Sequence, residues 1–396
     1  MGEPICISVF EPAFGASSID GGRRDSETAR PRVHRADSTA GETDTAEHTE
    51  PASLMDHVAM SDVVGHAGGM RAAVATRYGA PEVVHVTDVP RPVPERGELL
   101  VRVHATTVNR TDCGVRAGHP WFIRAFTGVM KPKRAILGNE FAGVVESVGA
   151  NVTRFAVGDR VFGYDDARLG AHAEYLTIAQ DAAVATMPDG QDFEATAPAT
   201  EGSHYALASI RAAGVDDASD VLVYGATGAI GSAAVQIIKS LGAQVTAVCG
   251  SDHVDLVTGL GADRVIDRTT TDFTADTQRY DLVFDAVGKC SFWQCHTLLK
   301  QRGVWASTDM GPLSQNPALV LATRFSRGRR VLIPFPSIDQ EMVEYFKGLV
   351  ESGQFVPVID RTYPLEEIVE AYRYVETQQK IGNVVISIAG DDDRAR

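Results

Sequence analysis

The sequence predicts an α/β protein in two parts: a small β-barrel, then a doubly wound domain built on a parallel sheet. Three observations carry this. From Met70 to about residue 190, short strands alternate with Gly and Pro turns. From about residue 195 to 350 the rhythm becomes strand, helix, strand, helix. Gly225, Gly228 and Gly231 stand between an apolar strand and an amphipathic helix. At 396 residues the chain also exceeds the usual size of one core, so two folded units are expected.

Residues 1–69 hold 5 arginines, no lysine and 12 acids, which accounts for −7 of the net charge of −15. Stretches such as Asp37–Glu50 lack apolar periodicity and cannot bury enough surface to offset chain entropy, so this extension is expected to be disordered. It matches neither a secretory nor a transit signal. Translation is expected to start either at Met70, with the upstream residues an artefact of the gene assignment, or at Met1, with residues 1–69 a real tail.

The barrel is expected over 70–194. Met70–Pro81 alternates and then turns, Val83–Val89 alternates loosely, and Pro90, Pro92 and Pro94 break the chain. Leu99–Ala105 and Gly143–Gly149 read as strands, and Val157–Gly163 as a turn feeding another. The doubly wound domain is expected over 195–350. Strand signals at Val356–Ile359 and Val384–Ile388 return residues 351–390 to the barrel, leaving 391–396 as a disordered tail.

Val221–Tyr224 is an apolar run of the buried parallel type. It enters the turn Gly225-Ala226-Thr227-Gly228-Ala229-Ile230-Gly231. Ile230, Ala234, Ile237, Ile238 and Leu241 then recur at helical spacing, and Gly242 ends the helix. In such a turn one glycine permits the bend, a second lets backbone approach a diphosphate, and a third lets helix pack on strand. The helix N-terminus offers free N–H groups and partial positive charge. Further strands are expected at Gln244–Cys249, Val265–Asp267, Asp281–Gly288 and Gly303–Asp309, with a helix end at Leu256–Asp263. Ligands in such sheets lie at the carboxyl ends of strands, which adds Ser251, Val287, Gly288, Thr308 and Met310 as cofactor neighbours. An NAD site usually has an acid at the end of its second strand. Gly250-Ser251 lacks one and suits NADPH, whereas Asp252 follows with no Arg or Lys nearby, so NADH stays open.

The net charge argues against nucleic-acid or anionic-membrane partners. No apolar run is long enough for a membrane span. Cys6, Cys113, Cys249, Cys290 and Cys295 are scattered and read as free thiols in a reducing, cytoplasmic setting.

Together, Thr107–Asp112, Leu137–Gly143, Val157–Gly163, the glycine turn and Leu260–Asp267 resemble the medium-chain dehydrogenase/reductase superfamily, in its zinc-independent, quinone oxidoreductase-like branch. The resemblance runs from about Met70 to Ile388. It implies a GroES-like barrel and a Rossmann domain with the active site between them. The places of the superfamily's catalytic zinc ligands fall on Asn109, Asn139 and Ala199, which cannot supply thiolate or imidazole. The structural zinc needs four clustered cysteines, and residues 114–248 contain none, so no metal is expected. His119, His172 and His204 are dispersed.

The resemblance also implies catalytic candidates. Asn109 could donate to a substrate carbonyl and Asp112 could orient it. Ser203 falls where a hydroxyl meets the nicotinamide ribose. Glu201 departs from the family, standing at the cleft where many quinone reductases carry a small residue; it is either a cleft acid with a raised pKa or a helix-start carboxylate stabilised by the macrodipole. Gly114 stands where some members carry tyrosine. The expected reaction is hydride transfer from NADPH to a quinone or an α,β-unsaturated carbonyl. The alternatives are an NAD(P)-dependent alcohol dehydrogenase or aldehyde reductase, and a non-catalytic NADPH-binding protein. Trp121–Phe126 is expected to wall the pocket or to belong to the barrel core; the region Arg324–Pro336 is expected to pair in a homodimer, its basic cluster being either a solvated loop or part of that interface.

Overall fold

The computed structural model describes residues 68–311 and 314–388. The expected disordered extension and tail, and Cys6, therefore lie outside the described residues, apart from the last positions of the extension. Strands β1 (Gly69–Ala75) and β2 (Val84–Pro90) form an antiparallel pair. They are followed by β3 (Glu98–Thr107), β4 (Glu140–Val148), β5 (Arg160–Tyr164), β6 (Tyr175–Ala179) and β7 (Val184–Thr186). The doubly wound part supplies β8 (Asp220–Tyr224), β9 (Gln244–Cys249), β10 (Arg264–Asp267), β11 (Tyr280–Asp285), β12 (Leu299–Ser307) and β13 (Arg330–Leu332). Strands β14 (Ile359–Pro364) and β15 (Asn383–Ser387) close the chain.

Two larger sheets result, and both expected layers are present. One has the order β14-β15-β3-β4-β5-β7, with β6 also on β3. The other has the order β10-β9-β8-β11-β12-β13 and is parallel throughout. Side chains of the parallel sheet divide by alternation. Val221, Val223, Leu282 and Phe284 enter one core; Leu222, Val283 and Trp305 enter the core on the opposite face. Both faces are covered, which is why these strands read as continuous apolar runs. On the other sheet, the helix Ile368–Glu376 lays Ile368, Ala371, Tyr372 and Val375 onto Val101, Val103 and Ile386. That spacing is one helical face.

Three expectations need correction. The strand expected at Val356–Ile359 starts only at Ile359. The Gln236 side chain captures the backbone instead: its Oε1 accepts from Val356 N at 2.9 Å and its Nε2 donates to Val356 O at 3.0 Å. Strands β6, β7 and β13 were not expected; they are short and β7 has only three residues. The cysteines are not all free thiols, because Cys290 and Cys295 form a disulfide. Asp285 accepts from the backbone N–H groups of Val287, Lys289 and Cys290, folding this loop back so that one helical turn, Phe292–Cys295, brings the two sulfurs together. Cys113 and Cys249 are free and buried. Among the described residues no helix is long and apolar enough to cross a membrane.

The helix Ala229–Ser240 packs against β8 through Gly231, where an added Cβ would lie 2.1 Å from Gly225 O. Gly231→Ala is therefore expected to destabilise the fold by about 2 kcal/mol through overpacking. Denaturant unfolding measures this, and an unchanged midpoint would contradict the packing described.

Candidate active site

The cleft forms where the turn after β8 meets the start of β15. Gly225 adopts φ +83°, a conformation open to glycine. The N–H groups of Gly225 and Ala226 both donate to Val248 O at 3.2 Å. Gly228 is the N-cap of the helix Ala229–Ser240, with no side-chain capping bond. A Cβ built on Gly228 would meet nothing closer than 3.8 Å, so space stands open over the unpaired N–H groups of the first helical turn. Gly382 N donates to Thr227 O at 2.7 Å, and Gly228 bridges Gly382. This ties the turn to the other sheet.

On that side Asn109 caps the helix Arg110–Ala117. Its Oδ1 accepts from Asp112 N at 2.9 Å, and Asp112 Oδ2 accepts from Asn109 N at 3.1 Å. This reciprocal capping box follows from the Asn-x-x-Asp spacing. Asp112 also accepts from Gly138 N at 3.1 Å, and burial pushes its carboxyl up to about 7. Asn109 Nδ2 donates to Asn139 Oδ1 at 2.8 Å, and Asn139 Nδ2 donates to Glu201 Oε2 at 3.2 Å. Thr111 Oγ1 donates to Glu201 Oε1 at 2.7 Å.

Glu201 opens the helix Glu201–Ala213, yet its carboxyl is not the acceptor that answers the helix N-terminus. Glu140 takes that role: its Oε2 accepts from Glu201 N at 2.7 Å and from Thr200 Oγ1 at 2.8 Å, while its Oε1 accepts from Thr107 Oγ1 at 2.6 Å. Burial, then the neighbouring Glu140, pushes the Glu201 carboxyl up to about 8.

Asn109, Glu201, Gly228, Ala229, Ile230, Val287 and Thr308 line one cleft, together with Arg110 and Lys380. Asp112 is buried behind Asn109. Ser203 lies inside the helix, buried, with no hydrogen-bond partner for its hydroxyl. Gly225, Ala226, Thr227 and Gly231 shape the turn without lining the cleft. Gly288 borders a neighbouring cavity with Asp285 and Trp305, and Met310 lines neither. Ser251 sits at the end of β9, where its hydroxyl donates to Asp267 Oδ2 at 2.6 Å. The segment Trp121–Phe126 does not wall the cleft, contrary to expectation: Phe126 borders a separate cavity with Val115 and Pro132, and Trp121 is exposed. The helix Arg110–Ala117 intervenes in the chain between Asn109 and that segment.

Two cations were not foreseen. Lys380 is half-buried in the cleft, donates to Gly382 O, and is lowered by burial to about 8. Its only sequence signal is its place just before the β15 strand pattern. Arg268 follows β10, and its backbone N–H donates to Cys249 O at 2.9 Å, so an arginine backbone adjoins the end of β9. Asp252 has no Arg or Lys close to it in sequence, and Arg268 reaches this strand end only through the pairing of β10 with β9.

The residues at the zinc-ligand places do not fit zinc. Asn109 and Asn139 hydrogen-bond to each other, and Ala199 is a buried methyl. His172 and His204 are buried and lowered by desolvation to about 4, hence neutral near pH 7. Among the described residues no group of three or more His, Cys, Asp or Glu could hold a metal ion. The glycine turn, by contrast, fits a dinucleotide: an open glycine, unpaired amides and the unpartnered Ser203 hydroxyl all remain to be satisfied.

Comparison with known proteins agrees with this geometry. Residues 95–189 match the alcohol dehydrogenase GroES-like domain family, and residues 260–386 match a family described as zinc-binding dehydrogenase. Human quinone oxidoreductase is 30% identical over 322 residues, covering 77% of this chain and 94% of that protein. A 2-methylene-furan-3-one reductase from Solanum lycopersicum is 27% identical over 329 residues, covering 80% and 79%. The structure of a quinone oxidoreductase from Coxiella burnetii superposes with a TM-score of 0.72 at 25% identity, covering 81% of this chain and 100% of that one. The six-stranded parallel sheet is thus a Rossmann-type sheet that binds an NAD(P)-type cofactor, joined to a GroES-like domain. The chain belongs to the medium-chain dehydrogenase/reductase superfamily, among its quinone oxidoreductase-like members that lack the zinc ligands.

Proposed function

We propose that this zinc-independent NAD(P)H oxidoreductase uses NADPH and reduces a quinone or an α,β-unsaturated carbonyl. The observation that carries the reading is the convergence of Gly228, Asn109, Glu201 and Lys380 on one cleft. Residues 70–194 with 351–390 would form the catalytic unit and 195–350 the nucleotide unit. Bound along Gly225–Gly231, the dinucleotide supplies a hydride. The ribose beside the nicotinamide would meet the Ser203 hydroxyl, and Val287 and Thr308 would flank the ring.

This chain's own residues manage the acceptor's charge. Without a Lewis acid, the developing negative oxygen needs fixed donors. The Lys380 ammonium and the second Nδ2 hydrogen of Asn109 can provide them, with Asp112 holding Asn109 in place through the capping box. Glu201, raised to about 8, keeps a proton near neutral pH and can deliver it to the reduced product.

NADPH over NADH is supported by Arg268 and Ser251 at the end of β9, where a 2′-phosphate would sit. Asp267 there accepts from Ser251 and from Thr269 N and Oγ1, so its charge is already engaged. A homodimer is supported by β13 at the edge of the six-stranded sheet, which offers a strand edge to a second copy. A monomeric mass in sedimentation would refute it.

Stopped-flow oxidation of bound NADPH by quinones, enones and aldehydes tests the reaction. The expected result is hydride loss to quinones or enones. Loss to aldehydes alone would indicate an aldehyde reductase, and no loss at all a binding-only protein. Arg268→Ala should raise the Kd for NADPH about tenfold and leave that for NADH unchanged; equal changes would remove Arg268 from recognition. Glu201 has a folded-state pKa raised from 4.5 to about 8, so its stabilising contribution is complete below about 4.5 and is lost as pH rises through about 8. Glu201→Gln removes that loss. Its melting temperature relative to the parent should therefore climb between about pH 5 and 8, while its turnover becomes slow and loses the parent's decline above about pH 8. A pH-independent difference in melting would show that Glu201 ionises normally.

A further inference from the structure

We propose that the segment Trp121–Arg134 is a docking surface for an anionic phospholipid bilayer. The short helix Arg124–Thr127 leads into a turn whose base is fastened at three points. Gly128 N donates to Arg124 O at 2.9 Å, Lys133 N donates to Thr127 O at 2.7 Å, and the Tyr78 hydroxyl donates to Gly128 O at 2.6 Å. The tip carries Val129 and Met130, which are 74% and 92% exposed, and Trp121, at the start of the same segment, is 80% exposed. A fastened turn that holds large apolar side chains in water is suited to an apolar phase outside the protein.

The charge around the tip selects that phase. Lys131, Lys133 and Arg134 are exposed, and from Cys113 to Asn139 there is not one Asp or Glu. The net charge of −15 argues against anionic membranes only on average; it is unevenly spread, and −7 of it lies in residues 1–69. Tryptophan at headgroup depth, apolar side chains below it and cations facing anionic headgroups is the chemistry of interfacial binding. A second copy of the chain fits less well, because a two-fold contact would set these cations against themselves. The acidic stretch Asp37–Glu50 has no large apolar side chain to cover Met130.

The test is co-sedimentation of the full chain with phosphatidylcholine vesicles, with and without phosphatidylserine. Binding is expected only with phosphatidylserine and is expected to fall at high salt. Met130→Asp, and separately Lys131→Glu with Lys133→Glu, should each lower the bound fraction about fivefold or more, with the melting temperature and NADPH affinity unchanged. In a Trp293→Phe background, where Trp305 is buried, Trp121 emission should shift to the blue on vesicles. Three results would overturn the proposal: no sedimentation of the folded chain, equal binding to both vesicle types, or unimpaired binding by Met130→Asp. If Met130→Asp changes the solution mass while the parent ignores vesicles, the surface belongs to a second copy instead.

Discussion

The contact from Gly382 N to Thr227 O is the constraint on which the site depends. It joins a turn of the parallel sheet to Gly382, the residue just before strand β15 of the mixed sheet. The helix N-terminus at Gly228 thereby faces Asn109, Glu201 and Lys380, which the other sheet and its connections position. Glu140 makes the second joint. Its buried carboxylate reaches from the start of β4 to Thr107 on β3 and to the first residues of the helix Glu201–Ala213. With backbone and carboxylate holding the two halves, cleft side chains are left available for chemistry.

The electrostatics follow from those joints. Because Glu140 satisfies the N–H of Glu201, the Glu201 carboxyl gains little from its own helix N-terminus and is governed first by burial and then by its neighbour Glu140, whose carboxyl burial also pushes up. An acid and a cation, Glu201 and Lys380, then share a cleft in which both have moved toward neutrality. Such opposed shifts are how one site holds a proton and a polarising charge together. The Asn109–Asn139 pair forms a hydrogen-bonded scaffold beside Glu201.

Features that depend on local patterns were legible in the sequence. The apolar run Val221–Tyr224 and the glycine spacing after it place the strand, turn and helix without any distant contact. The Asn109–Asp112 spacing encodes the capping box. What depends on distant partners was not legible. Val356 reads as strand, but Gln236, 120 residues away, takes its backbone. Lys380 becomes a cleft cation only once β15 has returned to β3. Arg268 reaches the end of β9 through parallel pairing, and Cys290 meets Cys295 through the Asp285 loop, which a spacing of five does not announce. Trp121–Phe126 looked like pocket wall because aromatic composition does not say which way a segment turns.

The most direct measurement is a structure of the complex with NADPH. The diphosphate is expected on the amides of Ala229, Ile230 and Gly231, with the nicotinamide ring flanked by Val287 and Thr308. A diphosphate bound elsewhere, or a ring outside the cleft lined by Asn109 and Glu201, would contradict it.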